Sequence, residues 1–228
     1  MYVTDTMPRS VTCMSIPARE LFPNTMRMSD PGFAMLIRMD NEAVFRVFGL
    51  VLPGHSNWYR FHGLDGGMEM TRGPGYFGPE QVRVWHEEYA LKEGQVTERV
   101  YSPEWPEHKE EASKAGHGGG DFFVNYHFAE AIRTGKQPFL DVYRGVAMTS
   151  VGILGWKSAL EGGRPFDVPD FRDEAARKPY ESDAFSPFPD QEHGKAESQP
   201  PSSIHGDIRR SPEAEKVAMD VWKEIGYE

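Results

Sequence analysis

The side chains best suited to chemistry fall in two short stretches. The first is His55-Ser56-Asn57-Trp58-Tyr59-Arg60, six hydrogen-bonding or aromatic residues in a row. In an extended strand, alternation puts His55, Asn57 and Tyr59 on one face and Ser56, Trp58 and Arg60 on the other. A wholly structural strand would carry more Val and Ile on its buried side. A pocket for a polyhydroxylated ligand instead combines aromatic platforms with amide, imidazole and guanidinium donors. The stretch therefore reads either as one wall of a carbohydrate pocket or as an outer sheet face or dimer interface. The second stretch is Gly116-His117-Gly118-Gly119-Gly120-Asp121. Its glycines allow positive φ and let backbone approach a ligand closely. His117 stands just before a predicted helix N-terminus, where it can touch a polar substrate while the helix amides receive an anion or hydroxyl. Asp121 reads either as part of this site or as the N-cap of the helix.

Other candidates weigh less. Gly73-Pro74-Gly75-Tyr76-Phe77-Gly78 matches the spelling of a dinucleotide-binding fingerprint. That fingerprint needs a strand turning tightly into a helix whose amides hold the pyrophosphate. Here Pro74 removes an amide, Pro79 restricts the exit, and the strand-like QVRVWH follows, so the segment reads as a Gly/Pro loop over a pocket. His62, His86, His117 and His127 lack the spacing of metal ligands on one element. Glu87-Glu88 and Glu110-Glu111 read as solvated charge runs rather than a glycosidase acid/base pair. The one cysteine, Cys13, excludes an internal disulfide and reads as a small buried hydrophobe.

These residues need a scaffold. Residues 9–16 are rich in β-branched side chains, and Phe33–Met39, the turn Asp40-Asn41, and Ala43–Leu52 read as a hairpin. His55–His62, Met68–Thr71 and Gln81–His86 continue an antiparallel meander. After Gly116 the period changes. Phe122, Tyr126, Ala129 and Ile132 mark the apolar face of a helix ending at Gly135. Asp141 opens a second helix with the stripe Val142, Val146, Thr149, Ile153, Trp156 and Leu160, widened by Ala147, Val151 and Leu154. A stripe so wide implies burial on most sides. Gly162-Gly163 stops it, and Phe166–Val168 reads as a short edge strand. Residues 172–208 are rich in Pro, Ser and charge. They cannot order themselves alone, and Tyr180, Phe185 and Phe188 are the expected anchors on a neighbouring surface. Ser211 as N-cap and Pro212 at the first helical position open a terminal helix with the stripe Val217, Val221 and Ile225.

The expected class is thus α+β: an open-faced, mainly antiparallel β-sheet with helices on one face, an irregular C-terminal tail and a short terminal helix. The expected division is 1–171 for the α+β domain, 172–210 for the extended segment and 211–226 for the terminal helix. The chain has 228 residues, 39% of them apolar, and a net charge of −10. That charge argues against nucleic acid or an anionic membrane as partner. No apolar run nears the roughly 18 residues that span a bilayer, and no secretory leader is visible, so a cytoplasmic location is expected.

From His117-Gly118-Gly119 and Asp121, through Phe128, Ala131-Ile132-Arg133 and Asp141-Val142-Tyr143, to Gly162-Gly163, Pro165 and Val168-Pro169-Asp170-Phe171, the chain resembles the C-terminal end of Gfo/Idh/MocA oxidoreductases. Weaker similarity reaches back to Val11 and forward to Phe188. Relatives in that family include NAD-dependent glycosidases that act by transient oxidation of the sugar. The resemblance implies an open-faced sheet that lines one wall of a sugar pocket and builds a dimer. The family's Rossmann fingerprint, its Glu-Lys-Pro element and the acid/base helix have no counterpart here, and Tyr2–Pro8 looks like the segment just after that helix. The expectation is therefore a substrate-binding and oligomerisation domain, inactive alone. NAD(P) is expected only with a Rossmann-domain partner or full-length form. Catalytic, cofactor-binding and metal-binding residues are not assigned. The substrate-wall role carries over to His55 and His117, then to Asn57, Tyr59 and Asp121, with a small carbohydrate as ligand. Two alternatives stay open: a non-enzymatic self-associating module, and a stand-alone hydrolase or lyase using His117 as base.

Overall fold

The structure, a computed structural model, describes residues 3–18, 29–50, 58–71, 81–189, 192 and 194–227. In chain order the elements are β1 (Pro8–Ile16), β2 (Gly32–Met39), β3 (Val44–Leu50), β4 (Arg60–His62), β5 (Gly66–Met70), β6 (Val82–His86) and β7 (Glu98–Tyr101). There follow α1 (Lys109–Ala112), α2 (Gly120–Thr134), α3 (Val142–Leu160), β8 (Phe166–Asp167), α4 (Glu174–Arg177) and α5 (Pro212–Glu224). The expected α+β class is what forms, with every strand pair antiparallel. The meander, however, is two four-stranded sheets rather than one, ordered β3-β2-β1-β8 and β4-β5-β6-β7. They fall in separate compact units, Met1–Leu52 with Phe139–Glu228, and Pro53–Pro138.

In the first unit, β1 and β2 alternate burial with the period of two that a sheet covered on one face requires. Val11, Cys13, Met35, Ile37 and Met39 point inward onto Leu154 and Ala159 of α3 and onto Val168. The second helix starts where expected, and Asp141 caps it, its carboxylate accepting the Arg144 amide at 2.8 Å. The buried face of α3 differs from the expected stripe. Val142 is 67% exposed and Ile153 is also exposed, whereas Ala147, Ser150, Leu154, Gly155, Ser158 and Ala159 are buried. The helix lies so close to the sheet that small residues fill the contact. A Cβ on Gly155 would come within 2.6 Å of Met35 Cε. At the same contact the Ser158 hydroxyl accepts the Cys13 amide at 2.9 Å. That amide lies past the end of β8, which pairs only with Ser10 and Val11, so a helix side chain completes the strand's hydrogen bonding.

The strand expected at Phe166–Val168 does form, as edge strand β8. In the tail, Tyr180 packs on Phe171 with centroids 5.7 Å apart, and the Lys157 ammonium sits 4.5 Å over the Phe185 ring. The Phe188 ring is exposed, while its carbonyl accepts from the Gln199 side-chain amide at 3.1 Å. The stronger anchor was not expected: Ser202 and Ser203 are buried, and Ile204 packs on the core. Asp30 ties this segment down, accepting from the Ser15 hydroxyl at 2.8 Å, the Ala18 amide at 2.8 Å and the Ile204 amide at 3.2 Å. At the end of the chain Ser211 caps α5 by accepting the Ala214 amide at 3.0 Å, and Val217, Val221 and Ile225 are exposed on that helix.

In the second unit, cross-strand register sets Arg60, Glu69 and Arg83 side by side on one sheet face, with His62 and Trp85 beside them. Phe61, Met68 and Val84 share the other face. Glu69 lies between the two arginines, paired with Arg60 Nε at 3.2 Å and with Arg83. The expected apolar face of α2 is only half realised. Phe122 and Tyr126 join Trp105, His108, Phe123 and His127 in an aromatic cluster, but Ile132 is exposed and α2 buries no residue completely.

Candidate functional site

The backbone of the Gly116–Asp121 loop is unusual before any side chain is considered. His117, Gly118 and Gly119 all take positive φ, at 53°, 63° and 97°. Glycine adopts this region freely, while a β-carbon-bearing residue there costs about 1 kcal/mol or more. His117 is therefore held in a strained conformation, a feature that clusters at functional positions. The loop closes as a short 3₁₀ turn over His117–Gly119 and runs straight into α2.

Asp121 is not the N-cap. Gly119 occupies that position, without a side-chain cap, and Asp121 lies inside the first turn of α2. Its carboxylate instead reaches back to His117, with its two oxygens 2.9 and 3.0 Å from Nδ1. An ionised carboxylate only accepts, so with that partner Nδ1 is the donor, and in the neutral imidazole Nε2 is left as the acceptor. The helix N-terminus favours the negative charge in that position. The His117 side chain is 86% exposed and Asp121 is 54% exposed, so the imidazole is offered to solvent in one tautomer. A loop His fixed in this way can accept a hydrogen bond from a substrate hydroxyl or take a proton from it.

Trp105 was not among the expected site residues. Its indole N–H donates to the carbonyl of Gly118 at 2.9 Å, and its ring lies 4.3 Å from that of Phe123. The signal in the sequence was faint: a lone aromatic between Glu104 and Pro106, eleven residues before the loop it supports.

Among the residues assigned from sequence, His117 and Asp121 come together directly. Tyr59 immediately precedes β4, exposed, and no hydrogen bond or ring contact joins it to either of them among the described residues. His55, Asn57 and the Gly73–Gly78 loop lie outside the described residues. Of the other histidines, His62 meets the edge of Trp85 at 5.8 Å and His127 stacks on Phe123 at 6.0 Å. No three His, Cys, Asp or Glu side chains cluster as metal ligands among the described residues. A nicotinamide dinucleotide is cradled where a parallel strand turns into a helix. Among the described residues every strand pair is antiparallel, and the glycine-rich segment opening α2 follows a short helix, so these residues do not fit that group. No described helix is long and apolar enough to cross a membrane.

An open antiparallel sheet with α3 laid on one face, and a His-Gly-Gly-Gly-Asp loop opening α2 in the second unit, define the C-terminal domain of a Gfo/Idh/MocA-type sugar oxidoreductase or glycosidase. The family model described as "Glycosyl hydrolase 109, C-terminal domain" matches residues 39–177, more than half of the chain, and the chain belongs to that family. An alpha-N-acetylgalactosaminidase of Tannerella forsythia is 37% identical over 67 residues, which is 29% of this chain and 14% of that protein. Two solved structures share the fold. An oxidoreductase from Agrobacterium radiobacter, in complex with NAD+, L-tartaric acid and magnesium, has a TM-score of 0.52 and 11% identity over 71% of this chain and 44% of its own. The aldose-aldose oxidoreductase of Caulobacter crescentus, complexed with glycerol, has a TM-score of 0.51 and 17% identity over 73% of this chain and 43% of its own. The chain thus spans less than half of each of these two solved proteins, and its match covers about a seventh of the curated relative.

Proposed function

We propose that this chain supplies the substrate wall and the self-association surface of a sugar-processing enzyme in which NAD(H) is held by a Rossmann nucleotide-binding half. The substrate class is a small carbohydrate or glycoside, and the working location is the cytoplasm. The observation that carries this reading is the His117–Asp121 pair: an exposed imidazole on a positive-φ backbone, its Nδ1 held by a carboxylate in the first turn of a helix. His117 positions a sugar hydroxyl through Nε2, and Asp121 orients His117. Tyr59, His55 and Asn57 are the further residues assigned to the wall from the sequence. The resemblance of fold to an NAD+-bound oxidoreductase and the sequence similarity to an N-acetylgalactosaminidase both support this assignment. The test is turnover of p-nitrophenyl N-acetyl-α-D-galactosaminide with NAD+, using the chain combined with a nucleotide-binding half of the family. His117→Ala is expected to lose roughly a hundredfold or more of the rate, the scale of a positioned acid/base group. Wild-type turnover in His117→Ala overturns the assignment. Turnover without nucleotide favours a stand-alone hydrolase or lyase instead.

A second reading, a self-associating module without enzymatic role, is favoured by the outer face of the β3-β2-β1 sheet. Met14, Leu36 and Phe48 are exposed there on three adjacent strands. A contiguous apolar surface of this kind marks a contact site. Both readings expect a dimer by native mass spectrometry and a monomer from Leu36→Lys. Only the first expects Leu36→Lys to retain sugar binding at His117 while His117→Ala loses it.

A further inference from the structure

We infer that Trp105 is the apolar shelf of the sugar site, a flat indole face against which the C–H side of a pyranose ring stacks while His117 holds a hydroxyl. This rests on the sugar-site reading above and assigns the residue that would grip the ring rather than its oxygens.

Three observations converge. First, Trp105 is fixed to the loop that carries His117. Its N–H donates to the carbonyl of Gly118, the residue after His117, at 2.9 Å. Second, Gly119, the middle residue of the run Gly118-Gly119-Gly120, leaves room for this indole. A Cβ on Gly119 would stand 2.7 Å from Trp105 Nε1 and 3.0 Å from the Ala112 Cβ, and the backbone there has φ 97°. Third, the ring is backed and not enclosed. Phe123 lies 4.3 Å from it at an interplanar angle of 36°, and His127 continues the stack behind Phe123 at 6.0 Å and 30°. With one side supported in this way, Trp105 remains 42% exposed.

A tryptophan serving only to pack would be buried along its hydrocarbon surface. Here the one polar atom is bonded to the backbone carbonyl one residue past His117, and the residue is still part-exposed. That is the combination a carbohydrate needs: a ring face for its C–H groups and a fixed acceptor for a hydroxyl. The anchoring hydrogen bond and the Phe123 backing hold the shelf in place, so little rotamer freedom is lost when a ligand arrives.

The experiment is saturation-transfer NMR on the full chain with N-acetyl-D-galactosamine and, separately, D-glucose, comparing wild type with Trp105→Ala, Trp105→Phe and His117→Ala. In the wild type the C–H protons of one ring face are expected to receive the strongest transfer. Trp105→Ala should weaken binding roughly three- to tenfold, the scale of one aromatic contact, and flatten that epitope. Trp105→Phe should weaken it less. His117→Ala should weaken binding while keeping the one-sided C–H epitope. Unchanged affinity and epitope in a folded Trp105→Ala, with His117→Ala impaired, overturns the shelf and leaves the sugar-site reading standing. No transfer to either sugar in the wild type removes that reading and the shelf with it. If Trp105→Ala does not fold, the Trp105 indole N–H signal decides the matter, assigned by its disappearance in Trp105→Phe. It must shift on sugar addition, and a signal that stays fixed while those of residues 116–121 move overturns the inference.

Discussion

Replacing Ser158 by Ala tests how the helix is joined to the sheet in the first unit. Ser158 is fully buried, and its hydroxyl accepts the Cys13 amide at 2.9 Å where β8 has already ended. Without that oxygen the amide has no ladder partner on that side and stays shielded from water by α3. Leaving a buried donor unsatisfied costs about 1–3 kcal/mol. Alanine returns about 0.5 kcal/mol through its better helix propensity. The expected net loss is therefore about 0.5–2.5 kcal/mol, or a fall in Tm of roughly 1–10 °C for a chain of this size. Urea denaturation followed by circular dichroism reads the free energy, and hydrogen exchange at the Cys13 amide reads the local cause. Thr149→Ala is the control. Its hydroxyl lies in the same helix but is exposed, donating to the Gly145 carbonyl, and its loss should change stability by less than about 0.5 kcal/mol. If Ser158→Ala matches the wild type in stability and in Cys13 protection, the side-chain completion of β1 plays no part in holding the helix to the sheet.

Gly119→Ala should destabilise the second unit by about 2–4 kcal/mol, combining positive φ with overpacking against Trp105 and Ala112; chemical denaturation followed by tryptophan emission checks it. Asp30→Ala removes three hydrogen bonds at once and should release the segment around Ser202–Ile204, read as faster proteolytic cleavage near residue 204. The Lys157 ammonium beside Asp183 holds its carboxyl below the usual carboxylate range. The folded value is thus the lower one, so this contact stabilises above the unfolded value near 4 and is lost as pH falls through the folded value. The Phe185 amide, which donates to Asp183, should stay protected from exchange at about pH 4, the unfolded value, and lose protection only as pH falls further, through the lower folded value. Asp183→Asn should be loosened by less than about 1 kcal/mol at neutral pH and lack this acid step.

Much of the fold was readable from local chemistry. Asp141, Ser211-Pro212 and Gly135 act as helix punctuation because capping and positive φ are decided within a turn of the chain. The edge strand at Phe166 and the buried Cys13 were readable for the same local reasons. The division into two sheets was not, since strand-like periodicity does not say which strand a given strand will pair with. The buried face of α3 was misjudged because the eye follows large apolar residues, while close helix–sheet approach selects Gly155, Ser158 and Ala159. At the site, the pairing of His117 with Asp121 follows from a spacing of four, visible in the letters. Its geometry was not visible, because Asp121 seemed already employed as a cap. Trp105 was illegible for a different reason: it reaches the loop through a backbone carbonyl, which leaves no mark in side-chain patterning.

The single cysteine has a use beyond its packing. Cys13 is 4% exposed at the contact between β1 and α3, its thiol pushed up by burial, and the chain holds no other thiol to compete. A thiol-reactive dye added to the native protein can react only during the moments when α3 lifts from β1. The labelling rate is then a direct reading of how often the helix–sheet seam opens, with no engineered reporter and no denaturant. Any substitution that weakens the seam, Ser158→Ala first among them, should announce itself as faster labelling long before the whole fold melts.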